Sequence, residues 1–290
     1  MTYASFSCKA PARSRLARIC GRAAALAALL TLIGGVSGCA KLKARDLLNK
    51  GVAAFKNGQY DAAIENFKEA KDTDPTLLNA RLYLATAYAT EYIPGAPSPE
   101  NQARGNQAVT EFKEVLETYP DNLSAIDGVG SILFQMAGTP FDEKKFNESR
   151  TYHQKHIELR PQDPEPYYWI AVIDWTFAYR TNRELRLDYN KNNIKKQIKD
   201  TDALPASLRP EYVSKCSTIV DEGINDLQKA IQIRSDYDDA MGYLNLLYRL
   251  KADMVESADE RNNLEKQADD LLDKIKEIKQ RRLEQPQSAT

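Results

Sequence analysis

Few side chains in this chain have the type and spacing that chemistry requires. The only two histidines, His153 and His156, stand three residues apart, and on a helix they share a face. A metal ion needs three or four ligands, and no HExxH motif or suitably spaced thiolate accompanies them. A hydrolase triad would draw its base from this pair, yet no G-x-S-x-G elbow supplies the nucleophile. The segment Gly128-Val129-Gly130-Ser131 has the small residues of a phosphate loop, but it sits inside a helical pattern and no Walker lysine motif occurs. Carboxylates abound, and sequence does not separate a pair doing acid–base work from surface acids. The expectation is no catalytic set, no metal and no cofactor, with both imidazoles as partly buried structural groups. Cys216 lies beside Ser214 and Ser217 in a predicted helix. It reads as a small buried hydrophobe, with an intermolecular disulfide as the alternative.

Composition bounds the elements that position these residues. The chain has 290 residues, 42% of them apolar, so a core is affordable and global disorder is excluded. Only 13 Gly and 13 Pro argue against a turn-rich β protein. Four Cys are too few for a disulfide scaffold. A formal charge of −1 gives no indication of nucleic acid. No run of 18 apolar residues occurs, which argues against a spanning helix.

The N-terminus carries Lys9, Arg13, Arg15, Arg18 and Arg22, and no acid precedes Asp46. A short apolar run, Ala23 to Ile33, follows, then Val36-Ser37-Gly38-Cys39. Basic start, short apolar run and small residues before a Cys resemble the signal peptide and lipobox of bacterial lipoproteins. The resemblance implies that residues 1–38 are removed and that Cys39 becomes the lipidated first residue, with 39–43 as a linker. Several acyl chains anchor stably where one is marginal. Ala40 after the Cys permits the outer membrane, which is expected over the inner one. Removing the five bases of residues 1–38 from 40 Lys+Arg leaves 35 against 41 Asp+Glu, so the remaining chain is acidic. An ordinary signal peptide with a chance Cys is the plainer alternative.

The rest of the chain repeats. Leu47, Gly51, Tyr60, Ala63, Phe67, Ala70 and Pro75 fall at positions 4, 8, 17, 20, 24, 27 and 32 of a 34-residue frame. This resembles a tetratricopeptide repeat. The pattern recurs with Leu84, Ala85, Tyr88, Ala108 and Phe112, with Gly130, Leu133 and Ser149, with Ala171, Gly223 and Leu227, and with Met241, Tyr248, Ala268, Leu272 and Ile275. The units are 44–77, 78–122, 123–163, 164–237 and 238–282, followed by a frayed tail, 283–290. The implied fold is all-α, a right-handed solenoid of antiparallel helix pairs whose units bury a core only by stacking.

Departures from the frame fall in the turns within the pairs. Tyr88–Ala108, Leu133–Ser149, Asp174–Gly223 and Tyr248–Ala268 exceed the frame by 11, 7, 40 and 11 residues. Ile93 to Pro99 reads as a stiff loop, because its prolines preclude helix. The longest insertion, near 178–210, is predicted to lengthen a helix, turn at Ala203-Leu204-Pro205 and restart at Pro210. It carries Arg180, Arg183, Arg186, Lys191, Lys195, Lys196 and Lys199 against Glu184 and Asp188. These bases read as a solvated helix surface or as a contact for anionic headgroups, cell-wall polymer or an acidic partner. Leu264, Ala268, Leu271, Ile275 and Ile278 form a heptad seam. It predicts a long C-terminal helix, or a helix pair, that either caps the array or forms a partner-binding coiled coil.

In tetratricopeptide proteins the first helix of each pair lines a binding groove. The resemblance places Leu48, Val52 and Phe55, Leu82 and Thr86, Asp127, Ser131 and Phe134, and Tyr168, Val172 and Trp175 there. The lining is apolar and aromatic, strongest at Tyr168, Trp169 and Trp175. It lacks the Lys and Asn of clamps for chaperone carboxylates. Amphipathic helices or extended segments fit such surfaces, unless the chain's own C-terminal helix or insertion fills them. The expected function is a membrane-tethered, noncatalytic scaffold for an envelope protein, serving assembly or secretion. The rivals are a self-assembling structural lipoprotein and, less favoured, an enzyme with its site in the insertions. Neither composition nor motif points to nucleic acid.

Overall fold

The computed structural model describes residues 38–284, and all regular structure among them is helical. The first helix, α1, occupies 38–56. It is followed by α2 Tyr60–Thr73, α3 Leu78–Glu91, α4 Pro99–Thr118 and α5 Leu123–Ala137. Then come α6 Glu143–Leu159, α7 Glu165–Asn192, α8 Arg209–Ile233, α9 Asp238–Ala252 and α10 Ala258–Glu284. The chain divides into two compact units at Ala87/Tyr88, within α3.

In the first unit, α1 and α2 form the predicted hairpin. Gly58 adopts φ +74°, which an L side chain rarely tolerates, and the Gly58 N–H donates to the Phe55 carbonyl to end α1. Across the pair, a Cβ on Gly51 would lie 2.4 Å from the Phe67 ring, so the small residue sets the helix separation. Phe67 in turn stacks on Tyr83 of α3 at 5.7 Å. Residues 39–43 are helical and not a linker. The run Ala40-Lys41-Leu42-Lys43-Ala44 contains only good helix formers, and Lys43 pairs with Glu69 at 2.8 Å.

The second unit contains the hairpins α5/α6, α7/α8 and α9/α10, each packed on the next, and α7 also packs on α9. The repeat frame survives its insertions. Ser149 Oγ donates to the Gly130 carbonyl at 2.7 Å, Gly223 abuts Asp174, and Asn245 Nδ2 donates to the Ala268 carbonyl. Helix starts follow capping chemistry. Ser98, Asn122 and Asp142 each accept from a backbone N–H three residues on. Of the residues Ile93 to Pro99, the last is already the first of α4, and Pro210 sits in the first turn of α8.

Two readings change. The predicted C-terminal pair forms and packs inward, but in α10 Leu271 is buried while Leu272 is 39% exposed. The heptad seam, not the 34-residue frame, sets the register of this last helix. The long insertion lengthens α7, as predicted, but the helix ends at Asn192 and the chain is irregular through 193–208, a longer stretch than the predicted turn at Ala203-Leu204-Pro205. Arg186, however, does not belong to its solvated surface. It is 5% exposed and pairs with Asp253 at 2.6 Å. It also donates to the Asn182 side chain and to the carbonyls of Lys199 and Asp202. Asp253 in turn accepts from the Leu204 N–H at 2.9 Å. One buried guanidinium thus fastens the insertion to α7 and to the end of α9. Among the described residues, no helix is long and apolar enough to cross a membrane.

Candidate functional site

The first helices of the second unit carry a continuous run of aromatic rings. Phe134 of α5 meets Trp169 of α7 edge-on at 5.2 Å, and Trp169 meets Tyr168 at 5.1 Å. Tyr168 meets Tyr243 of α9 at 5.6 Å, and Tyr243 meets Trp175 at 5.3 Å. Trp175 then stacks on Tyr179 at 5.1 Å. None of the six rings is fully buried, and Tyr179 is 41% exposed. Helical spacing explains the row. Trp175 and Tyr179 are one turn apart, and Trp169 and Tyr243 occupy the same frame position in successive units. Burial and the charges of Asp239 and Glu165 hold the Tyr168 hydroxyl far above its usual range, so it remains a hydrogen-bond donor.

A pocket lies at each end of the run. Near Trp175 and Tyr179, a pocket of about 310 Å³ is walled by insertion residues 200–203, by Leu246 and Arg249 of α9, and by Glu265 of α10. Its cations are committed, Arg186 to Asp253 and Arg249 to Asp269 at 2.6 Å. Near Trp169, a pocket of about 230 Å³ is lined by Asp127, Ser131, His153, His156, Asp163 and Glu165. A wider depression of about 670 Å³ beside Pro161, Pro164 and Arg234 has no aromatic lining.

The histidines form the floor of the Trp169 pocket. His153 lies under Gly130 and stacks on Trp169 at 6.3 Å. Burial, then repulsion from His156, lowers its pKa to about 4, so it is neutral at ordinary pH. His156 Nδ1 lies 2.5 Å from Asp127 Oδ1. Its Nε2 is 3.3 Å from an Asp163 carboxylate oxygen but is not aligned for a hydrogen bond. Burial raises the Asp127 pKa, and the His156 contact opposes that rise. The Nε2 atoms of both rings are buried without a hydrogen-bond partner. Among the described residues, no three His, Cys, Asp or Glu side chains converge as metal ligands. The pocket presents carboxylates and the Trp169 ring.

Of the sequence-predicted lining, Phe134, Tyr168 and Trp175 fall in the aromatic row. Val172 does not line it: at 2% exposure it faces the interior, where α7 packs on its neighbours. Asp127 is engaged by His156, and exposed Ser131 accepts from the Gln135 side chain. In the first unit Leu48, Val52, Phe55 and Leu82 are half-buried, and Phe55 lies edge-on to Tyr60 at 5.3 Å. Exposed Thr86 donates to the Leu82 carbonyl. Of the basic residues, Arg180, Arg183, Lys191, Lys195, Lys196 and Lys199 are exposed. Cys39 is an exposed free thiol, whereas Cys216 is buried and burial raises its pKa. Residues 1–37 and 285–290, with most of the signal-peptide reading and the end of the tail, lie outside the described residues.

A second carboxylate cluster lies behind this face. Asp174 of α7 is fully buried with Arg150 of α6 against one oxygen, while its other oxygen has no hydrogen-bond partner. Burial, only partly offset by Arg150, raises Asp174 to about 6. Burial and the Asp174 charge raise Asp226 of α8 to about 7. Neither carboxylate lines the pockets at the ends of the aromatic run.

Comparisons with known proteins agree with the helical-pair architecture. A tetratricopeptide repeat model matches residues 47–77. The crystal structure of MamA protein aligns over 86% of this chain and 98% of its own, with 16% identity and a TM-score of 0.51. MamA from residue 41 to its end, from Desulfovibrio magneticus RS-1, aligns over 85% and 98% with 15% identity and a TM-score of 0.52. A MamA RS-1 double mutant aligns over 83% and 96% with 15% identity and a TM-score of 0.53. No curated protein matches the chain. At such identities the likeness establishes the fold alone, an all-α solenoid of tetratricopeptide type.

Proposed function

We propose that this protein is a noncatalytic scaffold, tethered to a bacterial envelope membrane by lipid on Cys39, that holds a protein segment on the aromatic face of its second unit. The observation that carries the reading is the row of six incompletely buried rings with a pocket at each end. Aromatic rings supply large contact area with little rotamer entropy to lose, and they dominate binding energetics at interfaces. Charge narrows the ligand. Asp127, Asp163 and Glu165 border one pocket, and Asp200, Asp202 and Glu265 border the other. The basic groups nearby are already paired, Arg186 with Asp253 and Arg249 with Asp269. Arg234 neutralises Glu165 at 2.9 Å, so Asp127, Asp163, Asp200, Asp202 and Glu265 supply the charge. A segment with Lys or Arg between apolar residues complements this surface, and an acidic one does not. The motif around Cys39 and the exposure of its thiol support the tether, with Ala40 favouring the outer membrane. Cys39→Ser moves the protein from the membrane pellet to the soluble fraction of an osmotic-shock extract; a variant that stays in the pellet contradicts the tether.

The chain supplies its own reporter, because its two tryptophans, Trp169 and Trp175, both lie in the row. Amphipathic peptides bearing lysines shift tryptophan emission saturably, and the same peptides with glutamates do not. Trp175→Ala weakens the lysine peptides by about 30-fold or more, the range of an interface hot spot. Equal response to both peptide series contradicts the charge assignment.

A further inference from the structure

The tip of the long insertion is built to hold an isoleucine in solvent among lysines. Ile194 is 80% exposed and Leu187 is 58% exposed. Arg180, Arg183, Leu187 and Lys191 step by three or four residues and share a face of α7, and Ile194 follows in the turn just past its C-cap, Asn193. The tip is folded, not loose. Asn190 clamps Ile198 through both its amide groups at 2.8 Å. Asn193 Nδ2 donates to the Tyr189 carbonyl, and the Lys196 N–H donates to the Asn193 carbonyl, each at 2.9 Å. Arg186 pins the returning strand of the loop from inside.

Positive charge is in excess at this tip. Arg186 is neutralised by Asp253, and Arg180 by Glu184 at 2.8 Å while it lies over the Phe141 ring. Among the described residues, Arg183, Lys191, Lys195 and Lys196 are exposed and make no ion pair, and the unpaired acids nearest in sequence are Asp188 and Asp200. The helix dipole favours a cation in the last turn of α7. It does not favour an exposed isoleucine between that cation and two more lysines.

We infer that this tip docks on an anionic bilayer surface, with Ile194 and Leu187 entering the headgroup–acyl boundary and the four free cations meeting lipid phosphates. A fluid interface accepts single protruding apolar side chains without a matching pocket, and long basic side chains snorkel to phosphate beside them. A folded acidic partner would need a complementary cleft for each protrusion. The contact is separate from acylation at Cys39 and from the aromatic face, so it stands or falls independently of both.

Brominated lipids provide the test. The full chain carrying Ile194→Trp is bound to vesicles of equimolar phosphatidylglycerol and phosphatidylcholine, the latter brominated high on its acyl chains. The introduced indole is quenched, whereas the parent, with only Trp169 and Trp175, is not. Adding Lys191→Gln, Lys195→Gln and Lys196→Gln removes about fivefold of tip affinity per charge and abolishes the quenching. Failure of the chain to bind these vesicles overturns the proposal. So does an unquenched indole on vesicle-bound protein, which would leave the cations to an acidic protein partner.

Discussion

Arg186→Met destabilises the second unit by about 3–5 kcal/mol, the usual loss when one partner of a buried ion pair is removed. Four hydrogen bonds from this guanidinium join three stretches of chain: α7, the turn at Lys199–Asp202, and Asp253 after α9. Its removal leaves the Asp253 carboxylate, only 14% exposed, without a counter-charge. It also frees two carbonyls of the insertion. Chemical denaturation measures the loss, and limited proteolysis shows cleavage moving into 193–208 ahead of global unfolding. Adding Asp253→Asn recovers part of the loss, because the orphaned charge is gone. A change below about 1 kcal/mol with the insertion still protected would show that Arg186 does not fasten it. The consequence reaches function, since residues 200–203 wall the pocket beside Trp175.

Arg150→Met produces a loss of similar size at pH 7.5, about 3–5 kcal/mol, that shrinks as pH falls. Asp174 and Asp226 stand at about 6 and about 7 in the folded protein against 3.8 for a free side chain. A raised carboxyl pKa means that the native state binds protons more tightly than the unfolded chain. Between pH 4 and 7 these two carboxyls take up protons on folding. Their joint contribution to stability rises as pH is lowered through that window, outweighing the opposing loss from His153, whose pKa is lowered from 6.5 to about 4. In Arg150→Met the buried Asp174 must bind a proton to fold, which is hardest at high pH and easy near pH 5. The parent melts higher at pH 5.5 than at pH 8, and Asp226→Asn raises the pH 8 melting temperature and flattens the slope. Melting temperatures that climb with pH across this window would contradict the placement of these carboxylates.

Arg186 also marks where the sequence was harder to read. Ala171, Asp174, Ala178, Asn182 and Arg186 are buried at three- and four-residue steps along α7. That stripe was legible, but local charge counting assigned Arg186 to the surface with its neighbours. Its partner Asp253 stands 67 residues away, and no local pattern announces such a pairing. Helix pairs, by contrast, were readable down to Gly51 against Phe67 and Asp174 against Gly223, because close helix approach demands a small residue at a fixed step. Of the site, Phe134, Tyr168 and Trp175 followed from the frame. Tyr243 and Tyr179 were missed. Tyr243 shares the frame position of Trp169, and Tyr179 lies one turn beyond Trp175, so both signals were present. The pocket acids Asp163 and Glu165 sit on a connection and a helix start, where the repeat pattern constrains little. Val172 misled because α7 is covered by α9 as well as α8, which narrows its open face.

The central claim is that the aromatic face of the second unit holds a segment of another envelope protein. Photo-crosslinking in cells tests it most directly, with a benzophenone side chain at Leu246, which is 38% exposed beside Trp175, and a control at exposed Asn225 of α8. The account predicts one discrete heterologous adduct from position 246, lost in Trp175→Ala and absent from position 225, with the crosslinked segment rich in Lys or Arg and apolar residues. Adducts only to a second copy of this chain, or equal capture from both positions, would contradict it.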